Sequence, residues 1–394
     1  MKLAERTALV SPSFTIGINA KANDLKAQGI KVVNFSAGEP DFSVPEKAKR
    51  AAVWALDENK TKYDKVSGLI VLREAVAKKL REENKLEYSA EEIIISNGAK
   101  QAIMNALLAT LNPGEEILVP VPYWTSYPEI IRLCGAVPVF VHPEDEKDYK
   151  ITVKDLEKCI TSNTKMLMFN NPSNPSGTIY EKSEIEEIAR YCQEHDLWIL
   201  SDEIYERFFF EGDYYSPANI SREIWERTII INGMSKSAAM TGLRIGYTAS
   251  NPQVAEAISR MQGHLTSHPA LVSQYMAEVA LNECREEIAA QLNTYKTRRG
   301  LVLDELDSLP DITYLKPSGA FYVMINFGAY RDKIPHGDSF SLALCDKLLD
   351  EVQVAVVPGI AFGLDDFVRI AYTVSEEDLH EGMSRIRKFL ESLK

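Results

Sequence analysis

The chain has 394 residues, 45% of them apolar and 26% charged, a balance that suits a soluble globular protein of more than one domain and excludes collagenous or disordered classes. Its formal net charge of −13 argues against nucleic acid as the main partner, because phosphate backbones select clustered Lys and Arg. A small anionic ligand is still compatible, since a few buried cations set the local field. No apolar run approaches the roughly 20 residues of a membrane span, and the first residues, MKLAERTALVSPSF, are too broken by charge to read as a secretory leader.

In chain order, residues 1–45 read as an arm: a short helix near 18–28, then the strand-like KVVNFSAGEPDF ending in a Gly/Pro turn. Apolar runs at 91–96, 115–120, 136–141, 165–170, 197–201, 228–232 and 244–249 read as strands. Between several of them the pattern is helical, notably at 100–111 and 181–195. Continuous apolar strands separated by helices imply a mostly parallel sheet covered on both faces, a three-layer α/β domain. After a long charged helix at about 283–307 the pattern changes. Strands near 320–326, 352–357 and 367–372, with helices near 339–351 and 376–393, imply a smaller α+β domain. The expected division is 40–282 for the large domain, with 1–39 and 283–394 together forming the small one.

The 5 cysteines are scattered, odd in number and never in a CxxC pair, as expected of reduced thiols in a cytoplasmic protein. The 6 histidines show no HExxH spacing, so no metal site is expected. No GxGxxG turn follows a first strand and P-loop spacing is absent, which sets aside a nicotinamide dehydrogenase.

In a doubly wound sheet, ligands bind at the carboxyl ends of the strands. Asn171 and Asn174 follow the strand at 165–170, Asp202 and Tyr205 follow that at 197–201, and Lys236 follows that at 228–232. Polar groups on neighbouring strand ends therefore converge on one crevice.

The segment GMSKSAAMTGLRIG (233–246) resembles the lysine motif of class I and II aminotransferases, the fold-type I pyridoxal-phosphate enzymes. SAGEPDF (36–42), Tyr63 with SGLIVLREAVA (67–77), SNGAKQA (96–102), PVPYWTSY (120–127), NNPSNPSGTIY (170–180), SDEIY (201–205) and VRIAY (368–372) extend the resemblance over nearly the whole chain. It is nearest to the bacterial branch of aspartate and prephenate aminotransferases.

The resemblance implies roles that chemistry makes sensible. Lys236 would hold pyridoxal 5′-phosphate as an aldimine and, once freed, act as the base that moves a proton. Asp202 would keep the pyridine nitrogen protonated, and Asn174 and Tyr205 would donate to the ring's phenolic oxygen. Gly98, Ala99 and Lys100 open a helix whose free N–H groups suit a phosphate, with Ser235 and Arg244 adding a hydroxyl and a guanidinium. Tyr63 would reach the phosphate from a second subunit of a homodimer with shared sites. Trp124 would stack on the ring.

For the substrate, Arg369 would grip the α-carboxylate as a bidentate fork, with Gly38 bringing its backbone close. Lys100 would meet a distal carboxylate, and Thr15 lies where prephenate-competent relatives carry threonine. Ordinary readings stand beside these: a surface lysine, a helix cap at Asp202, turn chemistry at Asn174, a core aromatic at Trp124 and a structural ion pair at Arg369.

The implied activity is ping-pong transamination between an L-amino acid, aspartate first, and 2-oxoglutarate. A prephenate, aromatic or broad-specificity aminotransferase and a β-lyase of the same fold are the alternatives. A regulator built on an aminotransferase domain would carry a basic DNA-binding module ahead of it, and this acidic chain enters the pattern within its first forty residues.

Overall fold

The computed structural model describes residues 2–12 and 14–393, apart from the side chains of Thr15 and Ile16. After β1 (Val33–Asn34) come β2 (Ile93–Asn97), β3 (Glu116–Pro120), β4 (Val137–Val141), β5 (Thr164–Asn170), β6 (Trp198–Asp202), β7 (Thr228–Gly233) and β8 (Ile245–Ala249). The last seven form one sheet in the order β2-β8-β7-β6-β5-β3-β4. Only β8 runs against its neighbours; every other pairing is parallel.

The apolar character of these strands follows from burial on both faces. Ile117, Val119, Met166 and Met168 pack with Ile103 and Leu107 of the helix Ala99–Thr110 and with Ile258 of the helix Pro252–Leu265. Their neighbours Leu118, Leu167 and Phe169 point the other way, onto Ile185 and Ile188 of the helix Lys182–Glu194. Side chains alternate with period two, so two covered faces demand an unbroken apolar run.

Toward the C-terminus lie β9 (Thr313–Leu315), β10 (Tyr322–Asn326), β11 (Val354–Ala355), β12 (Val357–Pro358) and β13 (Phe367–Ala371). Four of them form an antiparallel sheet, β12-β13-β10-β9. The single strand expected at 352–357 is instead two, because the chain serves two sheets in turn: β11 pairs parallel with β1, and β12 pairs with β13. The strand-like 31–42 contributes only Val33–Asn34 to a ladder. Beyond it the chain stays extended, with Phe35 N–H bonding Ala355 O and Phe35 O accepting from Ala371 N–H. Val33 and Phe35 are buried in a core that includes Tyr295, Phe321, Leu348, Ile370 and Phe389. The helix expected near 18–28 spans Phe14–Ala27. Among the described residues no helix is long and apolar enough to cross a membrane, and all the cysteines are free.

One backbone contact fixes where the site begins. Gly98, with φ +79°, turns the chain from β2 into the helix Ala99–Thr110. A Cβ on Gly246 of β8 would overlap the backbone of Gly98 and Ala99, so the helix starts in direct contact with the sheet. Gly246→Ala should therefore lower stability in chemical denaturation by about 1–3 kcal/mol or more, as overpacking against backbone does. Gly300→Ala serves as the control. It lies in the helix Arg285–Asp307 with open space around its Cα, and should stabilise by up to about 1 kcal/mol.

Candidate active site

Parallel β5, β6 and β7 end at the same edge of the sheet, and their loops carry the polar residues. Asn170 and Asp202 are register partners. Asn170 Nδ2 donates to Asp202 O at 2.9 Å, and Asn170 Oδ1 accepts from Asn174 N–H at 2.8 Å, which clips the Asn171–Asn174 turn onto β6. Lys236 lies in the single helical turn Met234–Ser237 that follows β7.

These ends open into a cavity of about 300 Å³. Asp202, Tyr205, Asn174, Ser235, Lys236, Arg244, Ala99, Lys100, Trp124, Gly38 and Arg369 all line it. Gly98 abuts it instead: a side chain there would strike the Arg244 guanidinium. Tyr63 lies outside, 91% exposed and beside His268 at 6.1 Å between rings. The side chain of Thr15 falls outside the described residues.

Asp202 is buried. Its Oδ2 accepts from Tyr127 OH at 2.6 Å and its Oδ1 from Ile204 N–H at 3.2 Å. Burial pushes its pKa up to about 6, against the pull of those hydrogen bonds and of Lys236. Burial likewise lowers the Lys236 amine to about 8; Glu39 and Asp202 oppose that shift, while Arg369 and Arg244 reinforce it. Lys236 Nζ donates to Gly38 O at 2.6 Å. An amine depressed toward neutrality opposite a buried carboxylate is the pairing expected of a site that moves protons.

The cationic groups are poorly matched within the protein. Arg369 is buried on β13 and donates through Nη1 to Asn174 Oδ1 and through Nη2 to Ser36 O, both at 3.1 Å. Its Nε is buried without a partner. Burial depresses its pKa, and among the described residues its hydrogen-bond acceptors are an amide oxygen and a backbone carbonyl rather than a carboxylate. Lys100 Nζ sits 5.2 Å from the Trp124 ring centroid, its pKa lowered by burial and by the nearby Arg244. Arg244, in the left-handed region at φ +55°, donates to Thr241 O at 2.7 Å. The arrangement can therefore hold a dianion at one end and carboxylates at the other.

The residue pattern left out Tyr127, Tyr322, Asn170 and Thr241, which also line the cavity. Tyr127 opens the helix Ser126–Leu133 just after Trp124, donates its N–H to Trp124 O at 2.9 Å and meets that ring edge-on at 5.3 Å. Tyr322 had no readable signal short of knowing how β10 faces β13.

A family model described as aminotransferase class I and II matches residues 30–386. The chain belongs to that family. It is an aminotransferase with the mixed, mostly parallel sheet of fold-type I. The enzyme is 42% identical over 394 residues to the probable aspartate/prephenate aminotransferase of Aquifex aeolicus (strain VF5), covering 99% of each chain. It is 39% identical over 395 residues to the aspartate aminotransferase of Geobacillus stearothermophilus, covering 100% of each. Its fold is similar to that of the aspartate aminotransferase from Thermus thermophilus solved with maleate, with a TM-score of 0.92 and 38% identity over 98% of this chain and 99% of that one. These names do not favour the β-lyase alternative.

The depressed Lys236 predicts a stability signature in cofactor-free protein. A lysine whose folded pKa lies near 8 destabilises the fold while charged, and that cost fades as pH rises from 8 toward the unfolded value near 10.4. Lys236→Met should thus be more stable than the parent at pH 7 by about 2 kcal/mol, with the gap closing above pH 8. Denaturation across pH 6–10.5 checks this, and a pH-independent gap would contradict it.

Proposed function

We propose that the enzyme transfers amino groups between L-aspartate and 2-oxoglutarate, with pyridoxal 5′-phosphate held in this cavity. The single observation that carries the reading is the buried Arg369, whose Nε has no partner. A buried guanidinium without an internal carboxylate is costly unless a ligand supplies one.

The donors fit the cofactor. First-turn N–H groups of the helix Ala99–Thr110, with Ser235 and Arg244, suit a phosphate. Asp202 suits a protonated pyridine nitrogen, Trp124 offers a flat face, and Asn174 and Tyr205 suit a phenolic oxygen. When bound, pyridoxal phosphate supplies an electron sink for the substrate's Cα. Lys236 supplies the covalent anchor and, freed from it, takes and returns the proton, for which an amine near neutral pKa is the right base. Arg369 holds the α-carboxylate. Lys100 offers a second cation to a dicarboxylate; maleate, named with the Thermus thermophilus relative, is one.

The exposed Tyr63 suits a residue that completes the site of a second copy, so we read the enzyme as a cytoplasmic homodimer with shared sites. Residues 1–39 and 283–394 would form one unit beside 40–282. Support for that division comes from the separate sheets and from the packing of Val33 and Phe35 with the C-terminal core.

The test is substrate choice. With 2-oxoglutarate as acceptor, Lys100→Ala should lower kcat/KM for aspartate by about 10- to 100-fold, the cost of a charge-assisted hydrogen bond, and that for alanine by less than about threefold. Equal losses for both donors would refute the role of Lys100. A parent that turns over alanine as well as aspartate would refute the specificity.

A further inference from the structure

The cavity contains a hydrogen-bonded chain that ties its substrate-gripping side to its lysine. Arg369 Nη1 donates to Asn174 Oδ1 at 3.1 Å, and Asn174 Nδ2 donates to Tyr205 OH at 3.4 Å. Tyr205 OH lies 2.8 Å from Tyr322 OH. Tyr322 OH in turn lies 3.3 Å from Gly38 O, the acceptor of Lys236 Nζ. A carbonyl only accepts, so Tyr322 donates to Gly38 O, and its oxygen must take the Tyr205 proton. Every link therefore has one direction.

The strand register explains why Tyr322 occupies the middle. Met324 on β10 is the partner of Arg369 on β13, and Tyr322, two residues earlier, shares the face of Met324. Its ring consequently lies beside Arg369, with the guanidinium carbon 4.4 Å from the ring centroid. Gly38 completes the fit. A Cβ there would approach Tyr322 OH to 2.7 Å, so the missing side chain at 38 makes room for this hydroxyl.

We propose that Tyr322 is a positioning residue whose ring fixes the Arg369 fork and whose hydroxyl fixes both Tyr205 and the Gly38 carbonyl, coupling carboxylate binding to the lysine's chemistry. This rests on the pyridoxal-phosphate reading above and adds a residue to it. Ring and hydroxyl have separable effects. The hydroxyl competes for the Tyr205 proton; the ring gives Arg369 a face that a desolvated cation favours. Charged groups acting on Lys236 include Glu39, Asp202, Arg244 and Arg369, and both substitutions below leave them in place.

The experiment compares the holoenzyme with Tyr322→Phe and Tyr322→Leu. In Tyr322→Phe, Tyr205 is freed to donate to an anionic oxygen of the cofactor, so the pH midpoint of the cofactor's visible absorbance should fall by about 0.5 unit or more. Its kcat should fall about three- to tenfold while KM for aspartate stays within about twofold. Tyr322→Leu should also raise KM for aspartate about tenfold or more. Thermal midpoints of the cofactor-free variants check folding, and Tyr322→Phe, which keeps the ring, decides the matter even if the leucine variant does not fold. A Tyr322→Phe whose midpoint and kcat match the parent overturns the proposal, as does one whose midpoint stays put or rises. A parent that binds pyridoxal phosphate alongside such a variant leaves the underlying reading intact, whereas a parent that binds none removes both.

Discussion

Placing an amine and a carboxylate out of water at the ends of adjacent strands costs folding free energy, and much of the cleft is arranged around that cost. Asp202 accepts a phenol proton from Tyr127 and an N–H from Ile204; Lys236 has a carbonyl from Gly38. These contacts satisfy geometry without neutralising charge, so both groups remain displaced from their ordinary pKa values. On the reading proposed above, a charged aromatic cofactor would bind here by restoring what burial removed. Stability lost in the empty fold is the counterpart of affinity and reactivity in the loaded one.

The same logic extends to the cations. Lys100, Arg244 and Arg369 line one cavity in a protein of net charge −13, and no acidic partner among the described residues quenches Arg369. Local charge here opposes the global charge, the arrangement that the proposed recognition of a phosphate and a dicarboxylate by an acidic protein requires. Backbone packing supplies the precision. Gly246 lets the helix Ala99–Thr110 start against β8, and Gly98 leaves room for Arg244. Asn170 clips the turn that carries Asn174.

The strands of the large sheet were legible because all but the part-exposed edge strand β4 are largely buried on both faces and so read as apolar runs. The convergence of its candidate site residues was legible because parallel strands deliver their carboxyl ends to one edge, so Asp202 and Lys236 line one cavity. What the residue pattern hid was contact made across the chain. Tyr322 lies 284 residues from Gly38 and 117 from Tyr205, and only the pairing of β10 with β13 brings its hydroxyl between them. The apparent strand at 352–357 hid its division for a similar reason, since Val354–Ala355 and Val357–Pro358 answer to different partners. Tyr63, exposed in a single chain, depends for any role at the cleft on a second copy.

The claim beneath all of this is that one particular amine carries the cofactor. Incubating the protein with pyridoxal phosphate, reducing with borohydride and mapping the modified peptide by mass spectrometry tests it directly. The account predicts one pyridoxyl group per chain, on Lys236, and none there when Lys236 is replaced by alanine. A stable adduct located on Lys100 or on surface lysines, with Lys236 unmodified, would contradict it.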